Sequence, residues 1–309
     1  MTVLSSYVAG TLLSASSAAA VTGGIGVIRP NAWPQGAGQQ LEEDTRTRPA
    51  WRRMAAGPID AGTVPLVLLH AFPFDSAMFE AVVTRLSTLP VLLVDLPGQG
   101  MSRFVQPCSM VAAAAAVAST VRSLGIKRAV VAGVSMGGYV TMAMLRYQPE
   151  LMAGAILINT RASADDAVLR SNRLVVAEEA MEAGSSEPVM PMVDRMISPA
   201  SNLGNPALAE QLRRWARRTT PEGVAWAQQA MLGRAASYET LRVTGLPVHV
   251  LAGAEDSLIP MAMTDAMVEA IGRHGHFTLI NGAGHLCPVE NPGVTGGLIR
   301  EAYRRMTGA

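Results

Sequence analysis

Three short stretches of this 309-residue chain hold side chains whose types and spacing could do chemistry. In 130–138, Val-Val-Ala-Gly-Val-Ser-Met-Gly-Gly, a Val-rich apolar run breaks into Gly133-x-Ser135-x-Gly137, with Gly138 behind it. A serine on a sharp turn between strand and helix has its hydroxyl pushed clear of the sheet. Such a turn is crowded and needs small residues two positions either side. The N–H of Met136 would then point to where a carbonyl oxygen gains negative charge. Taken alone, the pattern favours a catalytic serine, with an inert Gly-rich turn as the competing reading. A serine hydroxyl at neutral pH needs a base, usually a histidine oriented by a carboxylate. Asp256 follows an apolar run in Leu251-Ala-Gly-Ala-Glu-Asp256-Ser-Leu-Ile-Pro260, and His285 follows the next in Asn281-Gly-Ala-Gly-His285. Glu255 adjoins Asp256 and is the competing carboxylate.

These residues need a scaffold that brings distant stretches to one edge. Apolar runs at 64–69, 91–95, 130–134, 155–159, 247–252 and 276–280 predict strands. Between them lie helical patterns at 76–86, 110–124, 139–147 and 260–271, with a terminal helix at 288–306. Strands alternating with helices predict an α/β fold whose mostly parallel central sheet is flanked by helices. The carboxyl ends of such strands share the edge where ligands bind, so Ser135, Asp256 and His285 should converge there. The stretch 161–236 lacks strand-like runs and is rich in Ala, Glu, Arg and Met, which predicts a helical insertion. The expected organisation is an extension and linker over 1–62, a core of 63–160 and 237–309, and a helical cap over 161–236.

Hydrophobic residues at 49% and charged residues at 16% describe a globular chain with a sizeable core. A formal charge of +1 gives no reason to expect a nucleic-acid partner. Cys108 and Cys287 form neither a metal-ligand spacing nor a disulfide framework. Residues 1–28 carry no charge. Ala18-Ala19-Ala20 has the look of a signal cleavage site, but the basic n-region is missing, and Ser, Thr and Gly dilute the apolarity that a membrane span needs. A cytoplasmic protein with no stable membrane partner is expected; export is the alternative if residues 1–20 act as a signal. Residues 29–62 are polar and Pro-broken and read as linker.

The order Ser…Asp…His, with its local patterns, resembles the α/β-hydrolase family over about 64–306. Two more stretches carry the resemblance. His70-Ala71-Phe72-Pro73 is similar to the family's His-Gly-Phe-Pro turn, which implies that Phe72 lends a second oxyanion N–H beside that of Met136. Asp95-Leu-Pro-Gly-Gln-Gly-Met-Ser102 resembles the family's Asp-x-x-Gly-x-Gly-x-Ser loop. Ala71 departs from the usual glycine and Gln99 from a common histidine. The family's opening hairpin is hard to find: 50–63 is too short and too Pro/Gly-broken, leaving 26–33 as a substitute or a truncated sheet.

The resemblance implies a cofactor-independent, metal-free serine esterase acting on a small apolar ester or lactone. Enol-lactone or C–C bond hydrolysis on the same three residues is the alternative, as is a non-hydrolytic ligand-binding member of the fold. Serine at 135 argues against the dehalogenase and epoxide-hydrolase relatives, whose nucleophile is aspartate. The acyl group, the alcohol and the oligomeric state stay open. Among the other residues, His70 is expected to support the oxyanion turn, His249 to be a satisfied core histidine, and His274 and His276 to lack a third metal ligand. Cys287 reads as a packed thiol near the pocket. Arg213, Arg214, Arg217 and Arg218 read as a solvated, paired face, or else as capture of an anionic substrate tail. Met181, Met190, Met192 and Met196 read either as the lining of an apolar pocket or as ordinary cap-to-core packing, and with Trp215 and Trp226 they are expected to offer apolar surface to the site.

Overall fold

The computed structural model describes residues 51–55, 59 and 62–308. Its strands are β1 (Trp51–Ala55), β2 (Leu66–Leu69), β3 (Pro90–Val94), β4 (Ala129–Val134), β5 (Met152–Ile158), β6 (Val248–Gly253) and β7 (Gly275–Ile280). They form one sheet in the order β1-β3-β2-β4-β5-β6-β7. Strands β2 to β7 run parallel, and β1 lies antiparallel on β3 with Trp51 opposite Val94. Every residue of β2, β4, β5 and β6 is buried, which is why they read as apolar runs, interrupted only by His249 in β6. Each Val, Leu or Ile so covered contributes about 1.5–3 kcal/mol of transfer free energy.

Strand β1 corrects the placement of 1–62 outside the sheet. Trp-Arg-Arg-Met-Ala shows neither an apolar run nor strict alternation. An edge strand needs only one hydrogen-bonded neighbour, and its chemistry need not advertise burial. The proposed substitute at 26–33 lies outside the described residues, as does the candidate signal at 1–20.

Short helix α1 (Glu80–Val83) follows a 3-10 turn at Ser76–Phe79. Helices α2 (Met110–Ser123) and α3 (Met136–Tyr147) flank β4 in the chain. Between β5 and β6 come only helices: α4 (Ala167–Ala183), α5 (Met190–Val193), α6 (Pro199–Gly204), α7 (Pro206–Ala216), α8 (Pro221–Leu232) and α9 (Tyr238–Val243). Helix α10 (Met261–Ile271) precedes β7, and α11 (Cys287–Glu290) and α12 (Pro292–Thr307) close the chain.

Several helices start by one device, a polar cap followed by proline. The side chains of Ser198, Asn205, Thr220 and Asn291 accept from Ser201, Leu208, Gly223 and Val294 N–H groups, and Pro199, Pro206, Pro221 and Pro292 stand next. The last of these corrects the single terminal helix expected over 288–306. Pro292 disfavours helical backbone at Asn291, which sits at φ −134° and ψ 65°, so α11 and α12 part there.

The chain winds outward from β2 to β3, then crosses to β4 on the other side of β2. The crevice of such a sheet opens where the winding reverses, here between the carboxyl ends of β2 and β4. Leu69 is in register with Gly133 at that point, so His70–Phe72 and Ser135 emerge side by side.

Candidate active site

Ser135 occupies the turn between β4 and α3 with φ 51° and ψ −112°. A non-glycine residue in the left-handed region is strained and persists only where its surroundings hold it. Here the Ser135 N–H donates to Ile158 O at 2.9 Å, and Thr160 Oγ1 donates to Ser135 O at 2.8 Å. The turn folds tightly on itself. A Cβ at Gly133 would strike the backbone of Gly137, and one at Gly137 would strike Leu69 O, both well inside van der Waals contact. The first N–H groups of α3 have no partner within the helix, and Met136 N–H is the first of them. The positive end of the helix dipole therefore lies beside the Ser135 side chain.

Asp256 and His285 meet 2.8 Å apart, Oδ2 to Nδ1, with side chains only 3% and 2% exposed. The carboxylate is fully hydrogen-bonded. Oδ1 accepts from Leu258 N–H (2.8 Å) and Ile259 N–H (3.0 Å), while Oδ2 also accepts from Asn159 Nδ2 at 2.7 Å. Burial opposes its charge, but His285, Asn159 and the Ile259 N–H outweigh burial and hold its carboxyl below the usual range. An ionised carboxylate only accepts, so Nδ1 of His285 carries the proton and Nε2 is left as the basic nitrogen. Glu255 is exposed and points its backbone N–H, not its carboxylate, into the fold, at Ala283 O.

Asn159 and Glu290 were not recognised from sequence. Asn159 ends β5 with φ 46° and bridges Asp256 and Gly284 O, while Cys287 Sγ lies 2.9 Å from its Oδ1. Burial pushes the Cys287 thiol well above its ordinary pKa, so it serves as a neutral donor. Glu290 accepts from Gly284 N–H and Ser198 N–H, each at 2.7 Å, and so ties the loop before His285 to the start of α6. The available signal was only polar residues beside the expected strand end and loop.

His70 is fully buried at the end of β2. Leu96 N–H donates to its Nε2 at 2.8 Å, which fixes the proton on Nδ1, facing Ala71 O at 3.0 Å. Both nitrogens are therefore occupied in holding the two loops together, and burial lowers its pKa. Asp95 takes the N–H groups of Ser76 and Met101, fastening the same loops. Gln99 Nε2 donates to Gly223 O at 2.9 Å, reaching α8 from the core.

A cavity of about 560 Å³ is lined by Phe72, Ser135 and His285, and also by Met192, Met196 and Ile259. Trp215 and Trp226 are not among its lining residues, contrary to expectation. Trp226 is wholly buried and donates from Nε1 to Val105 O, and Trp215 packs edge-on against Phe74. Met190 is buried in packing, and neither it nor Met181 lines the cavity. The arginines at 213–218 also stay away from it. Arg213 pairs with Asp194 at 2.7 Å, Arg217 with Glu187 at 2.7 Å and Arg218 with Asp75 at 3.0 Å, while Arg214 lies 4.0 Å from Glu210. His249 is only half satisfied: Nε2 bonds Thr278 Oγ1 at 2.9 Å, but Nδ1 is buried without a partner. Among the described residues no cluster of three or more His, Cys, Asp or Glu could hold a metal, and no helix is long and apolar enough to cross a membrane.

A parallel sheet with a serine elbow, and an Asp–His pair at the same edge, define a hydrolase of the α/β class. Residues 66–295 match the Alpha/beta hydrolase family, and the chain belongs to it. It is similar to a thermophilic esterase from Thermogutta terrifontis, solved with malate bound, at 32% identity and a TM-score of 0.77 over 83% of this chain and 93% of that one. A pimeloyl-[acyl-carrier protein] methyl ester esterase of Yersinia pseudotuberculosis is 34% identical over 100 residues, which span 32% of this chain and only 37% of that relative. A 2-succinyl-6-hydroxy-2,4-cyclohexadiene-1-carboxylate synthase of Enterobacter sp. (strain 638) is 26% identical over 77% of this chain and 91% of its own length.

Proposed function

We propose that the protein is a serine carboxylesterase that works through an acyl-enzyme with no cofactor. The observation that carries this is the shared cavity of Ser135 and His285, with the His285 ring held by a fully bonded Asp256. Nε2 of His285 takes the Ser135 proton as Oγ attacks the acyl carbon, and later returns it to the leaving alcohol. Asp256 keeps the tautomer and stabilises the imidazolium. The N–H groups of Phe72 and Met136 receive the tetrahedral oxyanion, where one such donor is typically worth ~3 kcal/mol. Water then releases the acid. Helices α4 to α8, in a cap over 161–236, supply Met192 and Met196 to the acyl group. Similarity to the Thermogutta terrifontis esterase supports ester chemistry.

Similarity to the Enterobacter synthase over most of both chains favours one other reading, lactone or C–C bond chemistry on the same residues. A fluorophosphonate probe should label Ser135, and Ser135→Ala should lose ester turnover by several orders of magnitude while keeping its fold. Retained turnover in the alanine variant would end the serine mechanism. Turnover of enol-lactones or C–C substrates with none of esters would move the reading to that second class.

A further inference from the structure

Beside the cavity, one carboxylate serves three arginines. The Asp165 side chain is fully covered, and those of Arg161, Arg173 and Arg234 are 7%, 13% and 5% exposed. Arg161 Nη2 donates to Oδ1 at 2.5 Å, Arg234 Nη2 to the same oxygen at 2.8 Å, and Arg173 Nε to Oδ2. The cluster therefore holds one negative charge against three positive. Among the described residues no other acidic side chain forms an ion pair with any of the three. Burying surplus charge is costly unless something pairs with it. Two of the guanidiniums are also under-bonded: Nε of Arg161 and Nε of Arg234 are buried without partners.

Two of the three, Arg161 and Arg173, line the same cavity as Ser135 and His285. Arg234 is set back, stacked 3.8 Å over the Tyr139 ring. Arg173 is braced for presentation, with Nη1 donating to Gln228 Oε1 at 3.0 Å. A third cation, Arg195, also lines the cavity, held by Ser257 O at 3.3 Å, and the exposed Glu179 is the acidic residue in its lining. A carboxylate can accept from several arginines, but it balances the charge of only one. The surplus, and its placement on the cavity, ask for a ligand that brings its own anion. A guanidinium fork suits a carboxylate, which it can bond through two N–H groups.

We infer that Arg161 and Arg173 form a carboxylate-binding wall of the active-site cavity, so that the preferred substrates are esters bearing a second, free carboxylate. The inference rests on the esterase reading for its substrate but not for its binding site, and the two fail separately. The test compares monoethyl glutarate with ethyl valerate, in which a methyl group replaces the free carboxyl. Wild-type kcat/KM should favour monoethyl glutarate at least tenfold, and Arg173→Gln should cut that ratio at least tenfold, with Arg173→Lys restoring part of it. Glutarate itself should bind the Ser135→Ala protein by calorimetry, a measurement that needs no arginine variant and no turnover. Efficient turnover of ethyl valerate with a wild-type ratio near one, and no glutarate binding, would overturn the carboxylate wall and leave the esterase standing. Glutarate binding with neither ester cleaved would do the reverse, and failure of both would remove both.

Discussion

Asn159 Nδ2 lies 2.7 Å from Asp256 Oδ2, the oxygen that also receives the proton-bearing Nδ1 of His285 at 2.8 Å. That amide helps to orient the carboxylate, together with the Leu258 and Ile259 N–H groups on Oδ1. A hydrogen bond to a charged group is worth roughly 1.5–3 kcal/mol. Asn159→Ala should lower kcat about 10- to 100-fold with little change in KM. A change confined to KM would show that Asn159 acts on the substrate and not on the Asp256–His285 pair.

Asp256→Asn and Glu255→Gln separate the neighbouring carboxylates. The first should cost about 10³- to 10⁴-fold in kcat, because an amide can hold the imidazole in the wrong tautomer. The second should change it little, since Glu255 is exposed. Steady-state kinetics on one ester suffices, and the opposite ranking would shift the pair by one residue.

For neutral esters, Met192 and Met196 in the cavity lining predict a chain-length series. Each methylene buried against Met192 and Met196 is worth about 0.8 kcal/mol, so kcat/KM should rise roughly fourfold per carbon until the space is filled. Met192→Ala should move the optimum to longer chains. A profile independent of chain length in both proteins would mean that these methionines do not meet the acyl group.

His249 predicts a limit in acid. Burial first, then the nearby His276 and Arg305, hold its pKa down to about 4, against an ordinary value of 6.5. The unfolded chain then binds the extra proton between these values, so stability is complete above about pH 6.5 and falls as pH drops toward 4. Thermal melts between pH 7 and pH 4.5 should show a smaller decline in His249→Phe than in the wild type. Equal slopes would assign the acid sensitivity elsewhere.

The strongly buried parts were legible, and the reasons are physical. Strands β4, β5 and β6 are covered on both faces, so their positions are almost all apolar, His249 in β6 excepted, and stand out as runs. The elbow was legible because steric crowding at Gly133 and Gly137 leaves a short pattern. Strand β1 was missed because its sequence shows no run. The misplacement of Trp226 has another cause: a large aromatic on a helix signals burial, but not whether it is buried in the cap or in the cavity. Asn159 owes its role to a partner far along the chain, at 256, as Asp165 does in part to Arg234, and one sequence does not reveal such pairs.

Glu290 joins Gly284 N–H, one residue before His285, to Ser198 N–H at the start of α6, and there is no room for a side chain on Gly284, whose Cβ would come within 2.6 Å of Ser198 N. The helical cover and the histidine loop are thus seated on one another through backbone. Anyone grafting a foreign cover onto this sheet to change its substrate would have to reproduce a backbone donor at the place of Ser198. Otherwise a carboxylate is stranded beside the proposed base, and the transplant damages the very histidine it was meant to leave untouched.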